Sequence, residues 1–236
     1  RTSDYVFDIE ITSNRIDTAS VIGIAQEAQA ILPIFGKMAK LKKNPLVNLK
    51  FNQIKPNASL DLKVDIKNPD LVSRFTAIIF DQIVIKESPN FIKERLTSVG
   101  IKVINNVVDI TNFVMIETGQ PMHAFDLDKL SGKRLNLRLA KNGETFSTVQ
   151  QGQVVALTTD DLVICDESSP QTLTLIGGWN SKVTNNTHEI LLEAANYNQA
   201  NCRRSSRRLK IVTDASIRHE KLLHPTQVIP ALERAY

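Results

Sequence analysis

The chain has 236 residues, 42% of them hydrophobic and 23% charged, with a formal net charge of +4. That length and balance fit a globular protein with one large domain or two small ones sharing a core. No stretch of about 18 or more apolar residues exists, which excludes a membrane-spanning helix, and no signal-peptide pattern opens the chain.

Residues 5–11 alternate polar and apolar in the manner of a half-buried strand. A polar turn at Asn14 and Arg15 follows, then a helix capped by Asp17 or Thr18, with Val21, Ile24, Ala25, Ala28 and Ile31 on its apolar side. Pro33 and Gly36 end it, and residues 37–56 form a basic, irregular connector. Residues 60–66 read as a strand broken by Asn68 and Pro69, and residues 75–85 as a buried strand. Ser88 and Pro89 have the chemistry of a helix start, with Ser88 as cap, and Gly100 ends that helix. A second helix spans about 106–117 and stops at Gly119. Pro121 disfavours a helical residue before it, so residues 120–123 are expected as an extended turn. Strands are expected at 135–140, 154–157, 162–165, 172–176 and 189–194, and helices at about 198–210 and 215–236, the last interrupted near His224 and Pro225. The fold class is α+β, a strand-rich, mostly antiparallel or mixed core flanked by helices. One module over residues 1–236 is expected, with two interleaved parts at about 1–85 and 86–236. No GxGxxG motif, P-loop, internal repeat or low-complexity tract is present.

Cys165 and Cys202 are the two cysteines, and neither lies in a CxxC pair. They argue against a disulfide scaffold and against a metal site, and they fit a reducing, cytoplasmic setting. The missing initiator Met and an end inside a helical pattern lead us to expect a piece of a longer protein. Positive charge gathers at Lys37, Lys40, Lys42, Lys43 and Lys50, and again at Arg203, Arg204, Arg207, Arg208 and Lys210. Either cluster can meet phosphate or form a solvated helix face.

Four segments can carry chemistry. Asp109 and Asn112 lie three apart on a helix, beside an apolar face of Val107, Ile110 and Val114. The turn after Gly119 delivers His123 beside an apolar segment, as a site residue or as a partner of the strand beneath it. Gly177 and Gly178 follow an apolar strand, where they allow a ligand to come close or make a hairpin turn. Glu193 lies within an apolar strand, where it either needs a partner or points outward. Thr213 and Asp214 have the chemistry of an ordinary helix cap.

Taken in order, these segments resemble the bacterial phenylalanyl-tRNA synthetase beta chain over nearly the whole length. The run Val108, Asp109, Ile110, Thr111, Asn112, Phe113, Val114 carries the resemblance, with the more specific run Gly119, Gln120, Pro121, Met122, His123, Ala124, Phe125, Asp126. So do Ile176 to Gly178, Leu191 to Ala195, and Thr213 to Ser216. The resemblance implies an editing module that hydrolyses tyrosine wrongly attached to tRNA(Phe). It implies Thr111, Asn112, His123 and Thr213 for positioning ester and water, and Glu193, Gly177, Ala215 and Pro121 for binding the amino acid. Arg203, Arg204, Arg207 and Arg208 are the nucleic-acid candidates. The implied partners are tRNA(Phe), tyrosine or a related amino acid, and an alpha subunit in an assembly of two alpha and two beta chains. No metal or cofactor is expected in this module, whereas ATP and Mg serve the alpha-chain site.

Two departures from the family stand out. Leu173 and Thr174 replace a usual Ala-Gly pair. Arg218, His219, Glu220, Lys221 and Leu222 stand where Arg, Phe or Tyr, Glu, Arg and Gly are usual. They keep open a docking module of the same subunit with weakened or lost editing. A free-standing domain acting in trans is a third reading.

Overall fold

The computed structural model describes residues 5–42, 44–46, 62–150 and 152–236. Helix α1 (Val21–Ile31) starts at Ser20, whose hydroxyl accepts from Gly23 N. Ser20, not Asp17 or Thr18, is therefore the cap, because those two residues fall in a short 3-10 turn at Ile16–Thr18. Residues 5–12 form no strand; Tyr5, Val6, Phe7 and Ile9 are exposed, and the segment joins no sheet among the described residues. Alternation alone does not make a strand without a neighbouring ladder. The connector at 37–56 and the start of the strand expected at 60–66 lie partly outside the described residues.

Next come β1 (Lys63–Ile66) and β2 (Val72–Phe80), the latter beginning earlier and ending sooner than alternation indicates. Helix α2 (Asn90–Ser98) has Pro89 at its N-cap. Ser88 does not cap it; its hydroxyl donates instead to Asp109 Oδ2 at 2.6 Å. Helix α3 (Asn106–Thr118) is capped by Asn105, which accepts from Val108 N, and ends where Gly119 takes φ 84°. That left-handed residue lets the chain reverse into β3 (Met122–Asp126). His123 thus lies on a strand, where a turn was expected. The remaining strands are β4 (Arg134–Leu139), β5 (Thr145–Ser147), β6 (Val154–Ala156), β7 (Leu162–Cys165), β8 (Pro170–Leu173) and β9 (Ile190–Tyr197). Helices α4 (Gln199–Leu209), α5 (Asp214–His219) and α6 (Val228–Ala235) close the chain. Among the described residues, no helix is long and apolar enough to cross a membrane.

The fold is α+β, with a four-stranded sheet in the order β1-β4-β7-β8 and a three-stranded antiparallel sheet in the order β2-β9-β3. Strands from residues 63–80 are built into both sheets beside strands from the later chain. Every residue of β9 is buried, because both faces of its sheet are covered. Ile190, Leu192 and Ala194 pack with Val107 of α3 and with Val228 and Leu232 of α6. Leu191, Ala195 and Tyr197 join the main core with Phe125, Leu175 and the β4–β7 side chains. Side chains alternate along a strand, so Glu193 shares the main-core face with Leu191, Ala195 and Tyr197.

Candidate functional site

The site grows from that face of the β2-β9-β3 sheet. In the register of β3 and β9, His123 stands opposite Glu193, which places their side chains together on one face. Glu193 is buried at 5% exposure and, among the described residues, its Oε2 has no hydrogen-bond partner; His123 Nε2 is likewise buried and unpartnered among them. Phe125, two residues along β3, meets the imidazole edge to face at 4.5 Å between ring centroids. The two groups face a cavity of about 400 Å³ that is partly open to solvent. Asn112 and Met115 of α3 border it on one side, Leu173 to Gly177 on another, and Asp214, Ala215 and His219 of α5 on a third.

The walls are fixed by bonds that leave the cavity groups unengaged. Asp109, fully buried, accepts from Ile104 N at 2.8 Å and from Ser88, and so pins the loop after Gly100 against α3. Thr213 accepts from Ser216 N and donates to the Leu175 carbonyl at 2.7 Å, tying the start of α5 to the strand wall. Its hydroxyl proton is thereby committed, which removes Thr213 as a donor to a bound ligand. Gly177 is required by a close approach: a Cβ there would lie 2.9 Å from His123 Nδ1 and closer still to its Cε1.

Six of the residues singled out from the sequence therefore border one cavity with Thr213: Asn112, Pro121, His123, Gly177, Glu193 and Ala215. Thr111 does not. Its hydroxyl donates to the Val108 carbonyl, and it lines a separate cavity of about 360 Å³ with Phe80, Ile110 and Tyr236. A helix rotates neighbours by about 100°, and here that separates Thr111 and Asn112 into different cavities. Sequence reasoning missed Tyr197 and His219, which also line the main cavity. Tyr197 lies four residues beyond Glu193 on β9 and so on the same face, and His219 lies four beyond Ala215 on α5. Their signal was the spacing, once each element is given its full length.

Burial sets the protonation states. It pushes Glu193 up to about 8 and His123 down to about 4. His219 falls to about 3 through burial and the adjacent Arg218 charge. At neutral pH the site thus holds a carboxylic acid and two neutral imidazoles. Glu193 stabilises the fold least in alkali: its contribution is intact below its ordinary 4.5 and is lost as pH rises towards 8. The histidines work in the opposite sense, their contribution being present above 6.5 and lost as pH falls towards 4 and 3. Urea unfolding across pH should therefore show stability falling by about 2 kcal/mol from pH ~6.5 to ~8. Glu193→Gln should flatten that fall. An unchanged slope in the variant would mean that Glu193 is ionised in the folded protein.

On the outer surface, Arg203, Arg204 and Arg207 of α4 are exposed. Arg208 is held in an ion pair with Asp161, a 1% exposed carboxylate that also accepts from Ser205 Oγ at 2.6 Å. Among the described residues, no group of three or more His, Cys, Asp or Glu is placed to hold a metal ion. Cys165 and Cys202 are both buried and unbridged.

The sheet of this α+β module thus carries an acid and an imidazole to one part-enclosed cavity. The chain belongs to the B3/4 domain family, whose model matches residues 71–236. It is 39% identical to the phenylalanine–tRNA ligase beta subunit of Porphyromonas gingivalis, over 99% of this chain and 28% of that protein. It is 41% identical to that of Syntrophus aciditrophicus, over 98% of this chain and 28% of that protein. The chain thus spans little more than a quarter of these relatives. An N-terminal fragment of the phenylalanyl-tRNA synthetase beta subunit from Pyrococcus horikoshii is similar at 14% identity and TM-score 0.45, over 80% of this chain and 55% of that one.

Proposed function

We propose that this module edits: it hydrolyses the ester of tyrosine wrongly joined to tRNA(Phe), as part of a phenylalanine–tRNA ligase. The observation that carries the reading is Glu193, a buried carboxyl whose Oε2 has no partner among the described residues, opposite His123 at a cavity of ligand size; burial favours its protonated form. A protonated carboxyl can donate to a phenol oxygen and accept the phenol proton at the same time. Phenylalanine offers neither contact and would leave the acid unpaired. A site built to bond a hydroxyl rejects the analogue lacking it by roughly 10⁴–10⁵-fold, whereas a synthetic pocket rejects an added hydroxyl by only about 10²-fold. The division of labour between two sites follows from that asymmetry.

In this reading Ala215 and Gly177 keep a slot open for the ring, and Pro121 shapes its edge. Asn112, whose amide has no hydrogen bond among the described residues, and His123 face the amino group, the ester and the attacking water. Thr213 holds the wall rather than the reactants. Water adds to the ester carbonyl, the bond to the ribose oxygen breaks, and a water proton passes to that oxygen. Neutral His123 can accept the proton in transit. Positioning supplies the remainder, and no covalent intermediate is invoked. No metal or cofactor acts in the module; ATP and Mg belong to the site on the alpha subunit, with which two beta chains would assemble in the cytoplasm.

A docking role without hydrolysis gives no use for residues bordering the cavity whose buried polar atoms lack partners among the described residues. Hydrolysis of tyrosyl-tRNA(Phe) and phenylalanyl-tRNA(Phe) by the assembled enzyme decides between the readings. Selective loss of the tyrosyl ester supports editing, and equal stability of both esters contradicts it. The exposed face of α4 fits tRNA phosphates. Replacing Arg203, Arg204 and Arg207 by glutamine should reduce the slope of log affinity against log salt by about 2. An unaltered slope would remove α4 from the RNA path.

A further inference from the structure

We infer that His219 is a second specificity-determining residue of the cavity, bonding through Nδ1 to the same ligand hydroxyl that Glu193 reads. The inference rests on the tyrosine reading of the site. Its own evidence is independent of Glu193. His219 is 5% exposed, lines the cavity, and has a buried Nδ1 without a hydrogen-bond partner among the described residues. Buried polar atoms in native proteins are rarely left unpaired, because each one that is costs stability. Packing explains the ring of His219 but not its nitrogen: the ring rests edge-on against Tyr197 at 4.9 Å between centroids, a contact that any aromatic side chain supplies.

Position gives the nitrogen its target. Ala215 and His219 stand one turn apart on the same face of α5, so the face that leaves the slot open at Ala215 presents an imidazole one turn further on. From the sheet side, Glu193 and Tyr197 share one face of β9, and Tyr197 is the ring that His219 touches. Acid and imidazole thus line one cavity from two elements, β9 and α5. Burial keeps His219 neutral, so Nδ1 can accept the phenol proton while the acid donates to the phenol oxygen. A hydroxyl read by two groups is discriminated more sharply than one read by a single acid.

The test is calorimetric binding of free L-tyrosine and L-phenylalanine to the full-length protein. Histidine 219→Phe keeps the stacking on Tyr197 and removes the nitrogen. It should lower the tyrosine-to-phenylalanine affinity ratio about tenfold, the size of one lost hydrogen bond. His219→Asn returns a polar atom near the Nδ1 position and should restore most of the ratio. Glu193→Ala separates the two claims. If that variant loses the preference while His219→Phe keeps it in full, the role of His219 is overturned and the tyrosine reading stands. If neither variant alters the preference, the tyrosine reading itself fails. Should His219→Phe not fold, ¹⁵N-histidine spectra of the unaltered protein decide. The His219 Nδ1 signal should move on adding tyrosine and stay with phenylalanine, and a signal unmoved by bound tyrosine overturns the inference.

Discussion

Glu193→Ala is expected to lower the rate of tyrosyl-tRNA(Phe) hydrolysis by about 10²-fold or more, with folding preserved. The carboxyl is 5% exposed, its Oε2 has no partner, and burial alone raises its pKa to about 8. Removing it takes away an unpaired buried group, so the empty protein should lose little stability and is expected to gain some above pH 7. The loss should therefore appear in catalysis rather than in unfolding. A side chain kept for packing would behave in the opposite way, with activity retained and the melting temperature lowered. Single-turnover hydrolysis and thermal unfolding of the same variant separate the two cases.

The paired glycines should divide in the same manner. The atoms nearest a methyl group on Gly177 are those of the His123 imidazole, Cε1 first, then Nδ1 at 2.9 Å and Nε2 at 3.2 Å, and a side chain can swing aside. Displacing that ring by about 1 Å is enough to cost roughly 10²-fold in rate. Gly177→Ala should then lose hydrolysis while costing about 1–3 kcal/mol of stability at most. A methyl group on Gly178 meets the backbone carbonyl of Gln171, with its carbon at 3.0 Å, and Phe146 Cε2 at 3.0 Å. Neither can yield without shifting the strand wall. Gly178→Ala should cost about 3 kcal/mol or more, which lowers the melting temperature by roughly 6–12 °C. Equal effects of the two substitutions on activity and on stability would show that the pair acts only as a turn.

Much of the helical frame is legible in the residues themselves. Gly100 and Gly119, with φ of 79° and 84°, stop α2 and α3 where glycine is expected to stop a helix. Asn198 caps α4 through bonds to Ala200 N and Asn201 N, and the segment Leu162–Cys165 is a strand with the bounds its pattern indicates. Local chemistry decides such features, so local sequence reveals them. What was not legible depends on partners distant in the chain. Residues 5–11 alternate like a strand but belong to no sheet among the described residues. Residues 122–126 form a strand only because β9, about seventy positions later, lies alongside. Ser88 has the chemistry of a cap, but Asp109 competes for its hydroxyl and wins.

The cavity follows the same division. Glu193 and His123 are visible as chemistry in the sequence, yet alternation leaves open whether the acid points outward; the coverage of both faces of β9 buries it either way. Thr111 and Asn112 are adjacent in the chain and end in different cavities, because a helix separates neighbours that a motif keeps together. Tyr197 lay beyond the strand end that hydrophobicity marks, since Asn196 and Tyr197 continue β9 with polar atoms. Resemblance to a family supplied the ligand, which no residue pattern names.

A crystal structure of the intact protein with bound L-tyrosine tests the central claim most directly. The phenol oxygen should lie about 2.6–3.0 Å from the Glu193 carboxyl, with the ring between Ala215 and Gly177. A ring seated elsewhere, or a phenol oxygen turned to solvent with Glu193 still unpartnered, would contradict the account.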